Sequence, residues 1–297
     1  MMRIFFGLLL LATLAPGGGG APVLYDIPYG DYHPSLKLDW YPPYVSSGAD
    51  PVLVFLHGGL PPDGGKGAVA THYKSFLELL RLNGIAVAAV EFTPYPTFHF
   101  PDQLHDVQLA VQYLRSEAAT YALDPERIGV WGVSSGALLA GWLAFSENGA
   151  DPDGTLIEQQ STRPLLYVGF DGITDFTLLV PTFTGAFFGQ QTIQGVDPAL
   201  LLEASISWEI CNIPREYTPP VCTLYGSAFG TPPLDDEHDG YFGYVFELAM
   251  RECEPEANAL SRYEVSDAPL AQFTSEMLDW IMIRFGMEGP MMTVHTK

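Results

Sequence analysis

The sequence predicts an α/β fold: a mostly parallel, doubly wound sheet with one sharp strand-to-helix turn and a small flap region. Three observations predict it. Residues 51–56, 85–92 and 127–133 are nearly continuous apolar runs of strand length, the pattern of strands buried on both faces. Helical patterns alternate with these runs, as crossovers between parallel strands require. Residues 127–141, RIGVWGVSSGALLAG, pass directly from an apolar run through small residues into a helical pattern.

Residues 36–41 alternate with period two, as a half-exposed early strand would. The buried-strand run 51–56 follows, then a helix over 73–82 and a second buried strand over 85–92. Leu104, Val107, Val111 and Leu114 stand at helical spacing in one long helix over 104–121. The strand 127–133 leads into a helix over 136–145. Later strands fall at 165–170, 221–225 and 260–265, with helices around 244–250 and over 273–285. Residues 175–217 hold Pro, Gly and aromatic residues without a clear strand, and read as a lid or flap.

Composition narrows the function. The chain has 297 residues, 47% of them apolar, enough for one large globular domain. With 35 acidic and 13 basic residues its formal net charge is −22, which argues against nucleic acid and anionic membranes as partners. Arg3 followed by the apolar stretch 4–15 and a Gly-rich segment matches a signal peptide over 1–21, too short to span a bilayer comfortably. The expected organisation is therefore a leader, 1–21, and a single domain, 22–297, in an exported protein. Export permits one disulfide among Cys211, Cys222 and Cys253. Cys211 and Cys222 are the closest pair in sequence, and three buried thiols are the alternative. No metal-ligand spacing and no phosphate-binding Gly loop occurs, so no metal or cofactor is expected.

The chemistry centres on Gly132-Val133-Ser134-Ser135-Gly136, a G-x-S-x-G at the strand-to-helix turn. Small neighbours allow the strained serine conformation that lifts its hydroxyl out of the chain. His57-Gly58-Gly59 directly follows the strand 51–56. Glycines there leave backbone N–H groups open to an oxyanion, and the pairing of the two motifs is far more specific than either alone.

On these residues the chain resembles the α/β-hydrolases of the hormone-sensitive-lipase and feruloyl-esterase-like group, carboxylesterases of the BD-FAE type. Pro94 with Phe100-Pro101-Asp102-Gln103-Leu104-His105-Asp106, and the run from Leu123-Asp124-Pro125 to Trp131-Gly132, extend the resemblance. It implies an α/β-hydrolase fold from about Tyr25 to Phe285 and a small-molecule ester as substrate. It also implies Ser134 as nucleophile, with Gly58, Gly59 and Ser135 as oxyanion donors. His57 would brace the oxyanion loop, and Asp106, Asp124 and Arg127 would be scaffold residues near the elbow.

The chain departs from the group where the acid and base belong. The aspartate expected after strand 221–225 is replaced by Gly226-Ser227-Ala228-Phe229. The histidine expected after the last strand is replaced by Ser266-Asp267-Ala268-Pro269-Leu270. The run Leu234-Asp235-Asp236-Glu237-His238-Asp239-Gly240 offers substitutes, with His238 as base and Asp235 or Asp236 behind it. The favoured reading of that run is a solvated helix start whose aspartates cap the next helix. Three functions follow: a serine hydrolase of small acyl esters, weak where its base is missing; a non-catalytic relative binding an acyl compound or a protein; and an amide hydrolase needing the same triad. An imidazole nitrogen at Ser134 favours the enzyme over the binding relative. The sequence carries no sign of the oligomeric state.

Overall fold

The computed structural model describes residues 21–59, 64–94, 97, 99–182, 186–213, 217–225, 232, 234, 238–265 and 274–287. The expected leader, Asp235 and residues 226–231 and 266–273 lie outside this set. Among the described residues eight strands form one sheet: β1 (Leu24–Pro28), β2 (Lys37–Tyr41), β3 (Asp50–Leu56), β4 (Ala86–Val90), β5 (Leu123–Val133), β6 (Tyr167–Phe170), β7 (Val221–Tyr225) and β8 (Arg262–Val265). Their spatial order is β1-β2-β4-β3-β5-β6-β7-β8. β2 runs antiparallel to its neighbours β1 and β4, and every pairing from β4 onward is parallel.

Helices cover both faces: α1 (Ala68–Thr71), α2 (Lys74–Leu82), α3 (Asp102–Ser116), α4 (Ala118–Tyr121), α5 (Ser135–Phe145), α6 (Pro198–Glu203), α7 (Ile206–Asn212), α8 (Gly240–Cys253), α9 (Pro255–Ala259) and α10 (Thr274–Arg284). The doubly wound reading holds because the central strands are apolar on both sides. Along β3, Val52, Val54 and Leu56 join the core under α3 and α5, while Leu53 and Phe55 join the core under α2 and α10. No side of that strand faces water. α5 is buried almost all round, from Gly136 to Phe145, because it is wedged between the sheet and α3 and α7.

Three local expectations change. The helix expected over 104–121 is two helices, with Glu117 leaving helical geometry between α3 and α4 and Ala122 closing α4 in the left-handed region. β1 went unread because four of its five residues are exposed at the sheet edge, so no apolar pattern marks it. The strandless stretch 175–217 contains short 3-10 turns and the helices α6 and α7, and it buries Phe176, Ile193, Leu201, Ile206 and Ile210 against the α5 side of the core.

The disulfide is Cys211–Cys253, with Cα atoms 5.2 Å apart, and not Cys211 with Cys222. The sheet is the reason. Cys222 lies within β7 and its side chain joins the core on the α2/α10 face. α7 and α8 pack together on the opposite face, which brings Cys211 and Cys253 within reach of each other. Burial pushes the Cys222 thiol up to about 12, so it stays protonated and inert. The disulfide spans 42 positions, and its loss is expected to cost about 2–4 kcal/mol. Urea unfolding with and without reductant, repeated on Cys253→Ser, measures this; coincident midpoints would refute it.

Candidate active site

The parallel strands β3, β5, β6 and β7 end on one edge of the sheet, where open α/β sheets bind their ligands. β5 ends at Val133, and α5 starts at Ser135. Ser134 between them has φ 53° and ψ −122°, a conformation that an L side chain rarely adopts. It is held there from three directions. Its N–H donates to the Phe170 carbonyl (2.8 Å), and its own carbonyl accepts from Ala137 and Leu138 N–H.

The glycines of the motif make this turn possible. A Cβ on Gly132 would lie 2.1 Å from the Gly136 carbonyl oxygen, and one on Gly136 would lie 2.1 Å from the Leu56 carbonyl oxygen. The first turn of α5 therefore crosses the ends of β3 and β5 at backbone contact distance. Gly58, just past β3, comes equally close: its Cβ would sit 2.9 Å from the Ser134 Cβ and 2.6 Å from the Val133 oxygen. Gly59 has φ +71°. Gly58 and the start of α5, whose first N–H groups have no partner within the helix, thus converge on the serine, and Gly59 follows Gly58 in the chain.

His238 reaches the same point. Its Nε2 lies 3.0 Å from the Ser134 Oγ, within hydrogen-bond distance, and the ring is exposed. Asp239 does cap α8, its Oδ1 accepting from the Tyr241 N–H at 2.8 Å. His238 thus does more than precede a helix start, which corrects the expectation of a solvated cap alone. Two anchors present the imidazole. Asp239 is one, and the other is Leu234, whose N–H donates to the Leu178 carbonyl and whose carbonyl accepts from Val180 N–H. Because β7 stands two strands from β5, about 10 Å away, the loop after β7 can deliver a side chain to the serine.

The BD-FAE family model matches residues 38–206, more than half of the chain. The chain belongs to the BD-FAE family. The match takes in Gly58, Gly59 and Ser134 and stops before His238. It is similar to the isoprenylcysteine alpha-carbonyl methylesterase ICME of Arabidopsis thaliana, 24% identical over 71% of this chain and 50% of that protein. It is also similar to the probable carboxylic ester hydrolase LipM of Mycobacterium tuberculosis, 32% identical over 52% of this chain and 35% of LipM. The chain spans half or less of the length of these two curated relatives. Two solved structures share the fold. One is a truncated carbohydrate esterase from gut microbiota, with TM-score 0.72 at 17% identity, covering 91% of this chain and 98% of that one. The other is the thermophilic esterase Est2 of Thermogutta terrifontis, with TM-score 0.65 at 19% identity, covering 91% of this chain and 94% of that one.

In this BD-FAE chain His57 is committed elsewhere. Its Nε2–H donates to Glu91 Oε1 (2.9 Å), and its ring stacks on Phe92 with centroids 4.4 Å apart. Burial raises the Glu91 carboxyl, but the hydrogen bond from His57 and the Lys66 N–H outweigh it and leave its pKa below the usual value. Glu91 was not singled out in the sequence; a charge directly after a buried strand, at the edge where the site lies, was the available signal. Asp124 and Arg127 pair at 2.7 Å near the start of β5, at the far end from Ser134, which corrects their expected place near the elbow. Among the described residues no group of three or more His, Cys, Asp or Glu could hold a metal ion.

Asp106, on α3, anchors Thr93 and Tyr32. Its carboxylate accepts from the Thr93 N–H (2.8 Å), the Thr93 hydroxyl and the Tyr32 hydroxyl. Burial dominates these bonds and pushes its pKa up to about 6. Between about pH 4 and 6 the folded chain thus holds a proton that the unfolded chain has released. The stabilisation is full below the unfolded value and is lost as pH rises towards 6, by on the order of 2–3 kcal/mol. Stability relative to Asp106→Asn is expected to fall across that window. A constant difference from pH 4 to 7 in paired melting curves would contradict it.

Proposed function

We propose that this chain is a serine hydrolase of carboxylic esters with small acyl groups, working through an acyl-enzyme on Ser134. The observation that carries the proposal is the His238 nitrogen 3.0 Å from the Ser134 hydroxyl, at a strained elbow faced by Gly58. Family membership supports it, as do the similarity to a methylesterase and a probable carboxylic ester hydrolase, and the fold shared with an esterase also solved phosphonylated by sarin.

His238 Nε2 takes the Ser134 proton as Oγ bonds to the ester carbonyl carbon. The carbonyl oxygen becomes an oxyanion, met by N–H groups of Gly58, Gly59 and Ser135. Collapse breaks the carbon–oxygen bond to the alkoxide, which leaves with the proton from the imidazolium. Water then attacks the acyl-enzyme, giving its proton to His238, and the second collapse returns that proton to Oγ and frees the acid. Asp235, three positions before His238, belongs to this proposal as the acid that orients the ring. An imidazole at the serine supports the enzyme over the non-catalytic relative. The Cys211–Cys253 disulfide supports an oxidising compartment, in keeping with the expected leader.

The test uses purified protein with chromogenic esters of increasing acyl length, the matching anilide, and a serine-directed organophosphate. Turnover of acetate above the anilide, and a single adduct mapped to Ser134, are expected. Turnover that survives Ser134→Ala would refute the assignment.

A further inference from the structure

A chain of contacts runs from the first strand to the oxyanion side of the site. The Lys66 Nζ lies 2.6 Å from Asp39 Oδ1 on β2 and 3.0 Å from Asp26 Oδ1 on β1. Asp39 is only 3% exposed, and its Oδ1 also accepts the Asp26 N–H at 2.9 Å. Burial works to discharge the Lys66 ammonium, and the two aspartates outweigh it. The Lys66 N–H in turn donates to Glu91 Oε2 (3.1 Å), and Glu91 holds His57, the residue before Gly58.

The same limb touches the oxyanion loop directly. A Cβ on Gly64, two residues before Lys66, would lie 2.7 Å from both the Gly58 and the Gly59 carbonyl oxygens. Those carbonyls therefore face Gly64. In a trans peptide the N–H points opposite the carbonyl it is bonded to, so the Gly58 carbonyl facing Gly64 turns the Gly59 N–H away from it. We infer that Lys66 is a positioning residue for the Gly59 oxyanion donor: held by Asp39 and Asp26 on one side and by the Glu91–His57 pair on the other, it keeps the 64–66 limb packed against Gly58 and Gly59 and so sets the direction of the Gly59 N–H.

This rests on the proposed hydrolysis at Ser134, and the experiment separates the two. Lys66→Met alone leaves Asp39 buried without its partner and risks the fold; Lys66→Met with Asp39→Asn removes both charges. The double variant is expected to lower kcat on the acetate ester about 10- to 100-fold while KM changes far less, because donor direction matters most in the transition state. Binding of a trifluoromethyl ketone, which forms a tetrahedral oxyanion adduct, should weaken in proportion to kcat. Lys66→Arg, which keeps both pairings, should recover most of the rate. Arg127→Met, at the far end of β5, should lower the melting temperature and leave kcat alone. Hydrogen exchange at residues 57–59 gives a readout that needs no activity: faster exchange there, with β6 unchanged, supports the inference even if wild type hydrolyses nothing. Unchanged exchange, or unchanged kcat and ketone affinity in an active enzyme, would mean that Lys66 only ties the fold together.

Discussion

Replacing His238 by alanine is expected to slow turnover of a chromogenic acetate ester by on the order of a thousandfold, about as much as replacing Ser134. A serine hydroxyl of ordinary acidity attacks poorly unless a base takes its proton, and members of such a unit fail together. The structure puts one imidazole at the hydroxyl, 3.0 Å away. His57, a second histidine near the elbow, has its Nε2 occupied by Glu91 and its ring pinned on Phe92. An efficient wild type whose rate is unchanged in His238→Ala would place the base elsewhere and end the proposed mechanism.

Gly136→Ala is expected to destabilise the fold by more than about 3 kcal/mol and to abolish the site with it. The added methyl would lie 2.1 Å from the Leu56 carbonyl oxygen and 2.5 Å from that of His57, and both obstacles are backbone of a buried strand end. No rotamer relieves such a contact; α5 must lift off β3, and with it the Ser134 turn loses its place beside Gly58. The control is Gly67→Ala. Gly67 has φ −64° and nothing within 4 Å of its Cβ position, so alanine there should be neutral or stabilise by about 0.5 kcal/mol. Denaturant midpoints and ester turnover on both variants decide it. Comparable stability of the two would show that the elbow tolerates a wider turn than its contacts indicate.

Both variants bear on how far the sequence could be read. β3 and β4 were legible because a strand buried on both faces leaves an unbroken apolar run, whatever lies next to it. The elbow was legible for a similar reason: strand, small residues and helix are consecutive, so their geometry is local. β1 escaped because an exposed edge strand needs no apolar pattern, and the disulfide was misread because closeness in sequence says nothing about which face of a sheet a cysteine occupies.

By itself, then, the sequence determined the sheet's central strands, the Ser134 turn and the His57-Gly58-Gly59 loop, all features whose defining residues adjoin one another in the chain. Tertiary structure alone decided which imidazole meets the serine. Ser134 and His238 are 104 positions apart, and His238 sits in a run that also serves, through Asp239, as a helix cap. Only contacts at the two ends of that run, Leu234 with residues 178–180 and Asp239 with the start of α8, hold His238 where it meets the serine. The physical reason is that a hydrogen bond depends on position to a few tenths of an ångström, and position at that precision comes from long-range contacts, not from local sequence pattern.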